Sequence, residues 1–133
     1  RKRRVFRIMI LGLGIDIVEV SRIEKWLNDE KLLQRFFNKE EVEYVLSKGN
    51  GAAHSLAVRF AAKEAFGKAL GTGLSGIKLK DIVVVNDKTG RPFLKLSGTA
   101  LQALNKKGGK AVHISLSHEK TAAAAVVVIE DLF

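Results

Sequence analysis

The sequence predicts a single α+β domain of antiparallel strands with segregated helices. Its 133 residues suit one domain. Apolar residues at helical spacing dominate residues 21–70, whereas the second half of the chain contains short apolar runs separated by turns. Because helices and strands are grouped and do not alternate strictly, the pattern favours the α+β class.

The first predicted element is a strand over Met9–Val20. Apolar residues occupy both parities of this segment, so we expect a strand that is covered on both faces or lies inside a sheet. Gly12, Gly14 and Asp16 share one parity and should project from one face. Two glycines beside a carboxylate are expected to leave open space next to it.

Three helices are predicted to follow the strand. The first begins at Ser21, with Glu24 three residues later as a capping-box partner. Asn38 and Glu41 repeat that pattern before a second, shorter helix. The third and strongest helix spans 52–70, because it is rich in alanine, lacks proline and is followed by glycine. Further on, we expect strands at 82–85, 93–96, 112–116 and 122–130, and a short helix at 98–105.

Composition and charge limit the classes of function. The absence of cysteine excludes disulfide frameworks and thiolate chemistry, and it is compatible with a cytoplasmic location. The formal charge is +9, and residues 1–8 carry five basic residues and no acidic one, so the rest of the chain has a charge of +4. We expect residues 1–8 to be a basic extension, with Met9 as the natural start of a domain over 9–133.

The helix over 52–70 carries the most informative polar pattern. At 100° per residue, Glu64 and Lys68 fall on one face with apolar neighbours, where unpaired charges are costly to bury. The simpler reading is a solvated i,i+4 pair worth about 0.2–0.5 kcal/mol. Asp16 has two readings as well: a surface aspartate, or a second carboxylate beside Glu64. Two carboxylates with substrate phosphates and water make a normal magnesium site, and Lys68 could then hold a phosphate oxygen.

Three segments resemble the motifs of holo-acyl-carrier-protein synthases, the small trimeric bacterial phosphopantetheinyl transferases. They are GLGIDIVEVSRIE at 12–24, FAAKEAFGKA at 60–69, and ISLSHEKT at 114–121 followed by an alanine-valine strand. The resemblance runs from about Met9 to Glu130. It implies the phosphopantetheinyl-transferase fold for nearly the whole chain.

The resemblance also implies roles for individual residues. Asp16 and Glu64 correspond to the magnesium-binding carboxylates, and Lys68 to the lysine near the transferred phosphate; these three form the implied catalytic set. Glu64 is the candidate general base, with a metal-bound water as the alternative. The implied coenzyme A contacts, besides Lys68, are Arg59, Gly90, Arg91, Pro92 and His118. Arg22 and Lys25 belong to the face that receives the acidic carrier protein.

The implied reaction moves 4′-phosphopantetheine from coenzyme A to a serine of apo-acyl carrier protein. Adenosine 3′,5′-bisphosphate leaves, and Mg²⁺ is required. The resemblance further implies a homotrimer with active sites at subunit boundaries, and a cytoplasmic role in fatty acid biosynthesis. It implies neither a membrane partner nor a nucleic-acid partner.

Other readings stay open from the residues alone. A basic module that binds nucleic acid would use charge and aromatic stacking, although much of the charge lies in residues 1–8. Removing those residues should remove most of the nucleic-acid affinity if they cause it. A structural trimer without chemistry is the third reading. His54 and His113 are expected to be ordinary structural histidines.

Overall fold

The computed structural model describes residues 8–132 and has the predicted α+β class. The helices are α1 (Val20–Glu24), α2 (Glu30–Phe36), α3 (Lys39–Leu46), α4 (Ala52–Leu70) and α5 (Gly98–Lys107). The strands are β1 (Ile8–Glu19), β2 (Ile82–Asn86), β3 (Pro92–Leu96), β4 (Ala111–His118) and β5 (Ala122–Leu132). Short 3₁₀ turns lie at Lys25–Asn28, Gly49–Gly51 and Leu79–Asp81. Ile8 is the first residue of β1, and residues 1–7 of the predicted extension lie outside the described residues.

The strands form two antiparallel sheets. One has three strands in the order β1-β5-β4, and the other is the β2-β3 hairpin. The prediction of an inner or doubly covered β1 is wrong for a single chain, because β1 lies at the edge of its sheet. Leu13, Ile15 and Ile17 point away from the helices and are 65%, 56% and 67% exposed. In β1 the apolar residues of one parity therefore form a face that a single chain leaves exposed.

Helix α4 lies directly against β1, and two glycines allow this close approach. A Cβ atom at Gly12 would overlap the carbonyl oxygen of Ala69, and one at Gly14 would overlap the carbonyl oxygen of Ala65. The predicted shared face of Gly12, Gly14 and Asp16 is confirmed. The predicted open space is wrong, because the backbone of α4 fills it.

Helix α4 is buried on nearly all sides. Its sheet-facing side packs on alternate residues of β5, which are almost completely buried: Ala123, Ala125, Val127 and Ile129. The helical wheel misassigned the buried charges. It placed Glu64 and Lys68 on the core face, but Glu64 is half-buried and Lys68 is exposed. Arg59 and Lys63 are the buried charges, because α3 and β2 pack on α4 as well as the large sheet.

The two predicted capping boxes have different outcomes. Asn38 and Glu41 form one at the start of α3, where the backbone amide of Asn38 donates to Glu41 Oε1 at 3.1 Å. The Ser21–Glu24 box is wrong. Helix α1 begins one residue earlier, directly after β1, and its N-cap Glu19 makes no side-chain capping bond. Within residues 8–132, no helix has the length and apolar character needed to cross a membrane.

We predict that Gly14→Ala destabilises the fold by roughly 1–3 kcal/mol, because the added methyl group forces α4 away from β1. Urea unfolding followed by the fluorescence of Trp26, the only tryptophan, measures this. Gly51→Ala is the matched control. Its Cβ would meet only Lys48 Cβ at 3.7 Å, so its effect should stay within about 0.5 kcal/mol. Equal effects of both changes would contradict the close packing at Gly14.

Candidate active site

Asp16 and Glu64 face each other where β1 packs on α4. Asp16 shares the helix-facing side of β1 with the two glycines, and only 15% of its side chain is exposed. The pKa of Glu64 is raised, first by burial and next by the negative charge of Asp16. Two carboxylates thus share one partly desolvated site.

Lys68 completes this carboxylate site. Its Nζ donates to Asp16 Oδ1 and to the carbonyl oxygen of Ile15, both at 3.0 Å. Lys68 therefore pairs with Asp16 on β1. The sequence had left open a simple i,i+4 pair with Glu64 on the same helix, and Lys68 does not form it. Because successive carbonyls of a strand point to opposite sides, the Ile15 contact places Lys68 at the open edge of β1.

Arg22 lies beside the same site. Its guanidinium carbon is 5.9 Å from the ring centroids of both Trp26 and Phe60, and those two rings pack edge to face at 4.8 Å. Its positive charge acts to lower the pKa of Glu64, against the larger effects of burial and Asp16. Arg22 and the following Lys25 are both exposed.

The electrostatics of this site favour a bound cation. The pKa of Glu64 is higher in the folded chain than its ordinary value of 4.5. As the pH rises from 4.5 through this raised pKa, ionisation of Glu64 lowers the stability of the fold. A cation between the carboxylates would offset that cost. Within the described residues no group of three or more His, Cys, Asp or Glu side chains is placed to hold a metal ion. Two carboxylates with ligand phosphates and water suit magnesium, which keeps several non-protein oxygen ligands.

A second polar site is a cleft of about 790 Å³ on the other side of α4. Four residues predicted to contact coenzyme A line it: Arg59, Gly90, Pro92 and His118. The exception is Arg91, which lines a separate pocket of about 220 Å³ with Asp87 and His113. Pro92 lines both pockets, so Arg91 lies beside the cleft and does not line it.

Arg59 is the most buried cation of the cleft, at 4% exposure. It donates from Nη1 to Ser55 Oγ at 2.8 Å and to the Ser55 carbonyl oxygen at 3.1 Å. Its guanidinium carbon lies 4.4 Å from the ring centroid of Tyr44, and its Nε has no hydrogen-bond partner. Burial lowers the pKa of this guanidinium, so an anionic ligand in the cleft would relieve an unfavourable environment.

Sequence reasoning missed several residues of the cleft. These are Tyr44, Lys48, His54, Ser55, Asn86 and Lys120. His54 makes a hydrogen bond to the carbonyl oxygen of Lys120 at 3.0 Å, as a structural histidine would, yet its ring also lies 5.1 Å from that of His118. The i,i+4 spacing of Ser55 and Arg59 was the one local signal. The other residues converge only in the folded chain.

The carboxylate site and the cleft lie at opposite edges of one sheet. Asp16 of β1 and Leu116 of β4 both pair with Ala125 of the central strand. Two strand spacings, about 10 Å, therefore separate β1 from β4. The body of α4 lies over the sheet between the two sites, with Glu64 towards β1 and Arg59 in the cleft.

Known proteins match this chain over most of its length. A sequence model of the 4′-phosphopantetheinyl transferase superfamily matches residues 12–127. A holo-[acyl-carrier-protein] synthase of Treponema denticola is 82% identical over 122 residues, which make up 92% of this chain and 99% of that protein.

Solved structures agree with the sequence matches. The holo-(acyl-carrier-protein) synthase of Bacillus anthracis str. Ames in complex with CoA (3′,5′-ADP) is similar with a TM-score of 0.77 at 41% identity, covering 92% of this chain and 98% of that one. The holo-[acyl-carrier-protein] synthase of Neisseria meningitidis has a TM-score of 0.82 at 33% identity, covering 91% and 98%. The chain belongs to the 4′-phosphopantetheinyl transferase superfamily, as its motifs indicated.

Proposed function

We propose that this protein transfers 4′-phosphopantetheine from coenzyme A to a serine of apo-acyl carrier protein, in cytoplasmic fatty acid biosynthesis. The observation that carries the proposal is the combination of a two-carboxylate centre with a cationic cleft. The first suits a metal-bound diphosphate, and the second suits a nucleotide. The superfamily match and the 82% identity to a holo-[acyl-carrier-protein] synthase support the same reaction.

The cleft suits the nucleotide of coenzyme A. Lys48, Arg59 and Lys120 bring positive charge to it, and the unpartnered Nε of Arg59 is a buried donor. Charged donors of this kind bind phosphate oxygens strongly. The B. anthracis relative was solved with CoA (3′,5′-ADP), and by homology we assign this ligand to the cleft.

Asp16 and Glu64 would hold the magnesium ion. When bound, the ion would neutralise negative charge on the diphosphate. Lys68, which is hydrogen-bonded to Asp16 at 3.0 Å, would donate to an oxygen of the transferred phosphate and stabilise the charge that develops there. Arg22 and Lys25 would attract the acidic carrier protein, because both are exposed cations and Arg22 lies beside this site.

The proposed chemistry is one displacement at phosphorus. The serine oxygen of the carrier bonds to the β-phosphorus of coenzyme A. The bond from that phosphorus to the bridging diphosphate oxygen breaks, and adenosine 3′,5′-bisphosphate leaves with the bonding electrons. The serine proton passes to Glu64 or to a water molecule; a cation held by Glu64 would lower the pKa of this carboxylate and weaken it as a base.

A homotrimer with composite active sites fits this geometry. The outer face of β1 exposes Leu13, Ile15 and Ile17 at 56–67%, and apolar surface of this kind marks interfaces between subunits. The carboxylate site lies at the open edge of β1 and the cleft at the opposite edge of the sheet. A neighbouring copy that packs on β1 could therefore bring its own cleft to the carboxylates.

Our first functional prediction concerns Glu64. With coenzyme A, magnesium and an apo-acyl carrier protein, mass spectrometry should show the carrier gaining the mass of phosphopantetheine. Glu64→Gln should slow this by about a hundredfold or more, because it removes a charge at the reacting centre. EDTA should abolish the gain.

The exposed Glu40 of α3 provides the matched control, and Glu40→Gln should retain full activity. Failure of the wild-type protein to modify any of several apo carriers would overturn the proposed function. Equal activity of the wild-type and Glu64→Gln proteins would remove Glu64 from the mechanism.

A second prediction tests the composite site. Glu64→Gln damages the carboxylate site, and Lys48→Ala/His118→Ala damages the cleft. Each variant should be weak alone, but their co-expression should restore about a quarter of wild-type activity. In randomly mixed trimers, about one subunit boundary in four joins an intact carboxylate site of one chain to an intact cleft of its neighbour. Sedimentation should give a trimer. Activity no higher than the mean of the separate variants would show that each chain uses its own cleft.

A further inference from the structure

Lys63 and Glu41 form an ion pair in the core, away from both sites. Neither side chain is exposed at all, and Lys63 Nζ lies 2.8 Å from Glu41 Oε1. Lys63 Nζ also donates to the carbonyl oxygen of Leu79 at 2.8 Å and to that of Ile82. All three ammonium donors are therefore used, two of them on backbone that leads into β2.

Glu41 extends this network to the other side. Its Oε1 also accepts from the backbone amide of Asn38 at 3.1 Å, and its Oε2 accepts from the backbone amide of Val84 at 3.2 Å. The pair thus ties together the start of α3, the middle of α4 and strand β2. We call Lys63 and Glu41 the buried clamp.

The three elements joined by the buried clamp form one side of the cleft, opposite β4 and the turn that follows it. Helix α3 supplies Tyr44, the turn after it supplies Lys48, α4 supplies Arg59, and the β2–β3 hairpin supplies Asn86. Three of these cleft residues lie close in sequence to a residue that takes part in the clamp's hydrogen bonds. Arg59 is one turn before Lys63, Tyr44 three residues after Glu41, and Asn86 two residues after Val84.

Contacts between the walls depend on this alignment. Asn86 Nδ2 donates to the Tyr44 hydroxyl at 2.9 Å, and the Tyr44 ring lies 4.4 Å from the guanidinium carbon of Arg59. An apolar pair of similar volume would fill the same core space, often with equal or better stability. It would lack the directional bonds to Leu79, Ile82 and Val84. The clamp is therefore suited to setting positions more than to adding stability.

We propose that Lys63 and Glu41 are positioning residues for the nucleotide of coenzyme A, holding α3 and the β2–β3 hairpin in place on α4 so that the cleft groups contact it together. This inference rests on the proposed function. The carrier-binding residues Arg22 and Lys25 lie on elements outside the clamp. The clamp should therefore affect coenzyme A and leave the carrier unaffected.

Two variants test the proposal in the full chain. Glu41→Leu/Lys63→Met replaces the clamp by apolar side chains, and Glu41→Gln keeps its shape and removes one charge. The same substitutions at the exposed neighbours, Lys39→Met/Glu40→Leu, are the matched control. We measure the folded fraction by circular dichroism, the dissociation constant of adenosine 3′,5′-bisphosphate by calorimetry, and separate KM values for coenzyme A and the carrier.

In the double variant we expect about a tenfold weaker nucleotide affinity and a matching rise in KM for coenzyme A, since small misplacements of binding groups are costly. Glu41→Gln should show a smaller rise. The carrier KM should not change, and kcat should stay within about threefold. The control should match wild type throughout.

Folded variants with wild-type affinity for the nucleotide would overturn the positioning role. The positioning role would also be overturned if kcat fell in proportion to the unfolded fraction while both KM values stayed unchanged. A pair that only stabilises the fold would give that result. If the wild-type protein itself fails to bind the nucleotide, the proposed function fails, and the two failures are thereby distinguished.

Discussion

The rest of the structure depends on the contact between the glycine face of β1 and the backbone of α4. Gly12 and Gly14 bring the strand so close that a methyl group at either position would overlap a carbonyl oxygen of the helix. The next residue on that face is Asp16, which therefore meets Glu64 and Lys68 at short range. Close packing here has a chemical result, since it buries Glu64 and places it beside the like charge of Asp16, and both effects raise the pKa of Glu64.

Helix α4 divides its charged residues between two tasks. Lys63 is fully buried and bonded to Glu41 and two carbonyl oxygens, so it fixes the positions of neighbouring elements and takes no part in either site. Glu64, the adjacent residue, is turned by 100° and lies half-buried at the carboxylate site. Arg59 lies one turn before Lys63 and leaves a buried donor unpaired in the cleft. One rigid element thereby serves both sites, at opposite edges of the sheet.

Much of this could be predicted from local patterns. The span of α4, the capping box at Asn38 and the shared face of Gly12, Gly14 and Asp16 all follow from spacing and chemistry along the chain. The edge position of β1 could not be predicted, because strand order depends on pairing with β5 more than a hundred residues away. The buried state of Lys63 and the membership of His54 in the cleft also depend on distant partners, Glu41 and Lys120.

We expect this packing to build a two-carboxylate metal site that works with a nucleotide cleft. A crystal structure of the protein grown with coenzyme A and manganese, as a visible substitute for magnesium, tests it most directly through anomalous diffraction. We expect manganese in direct contact with oxygens of both Asp16 and Glu64, and the nucleotide in the cleft against Arg59. Manganese bound to neither carboxylate, or a nucleotide bound away from Arg59, would contradict it.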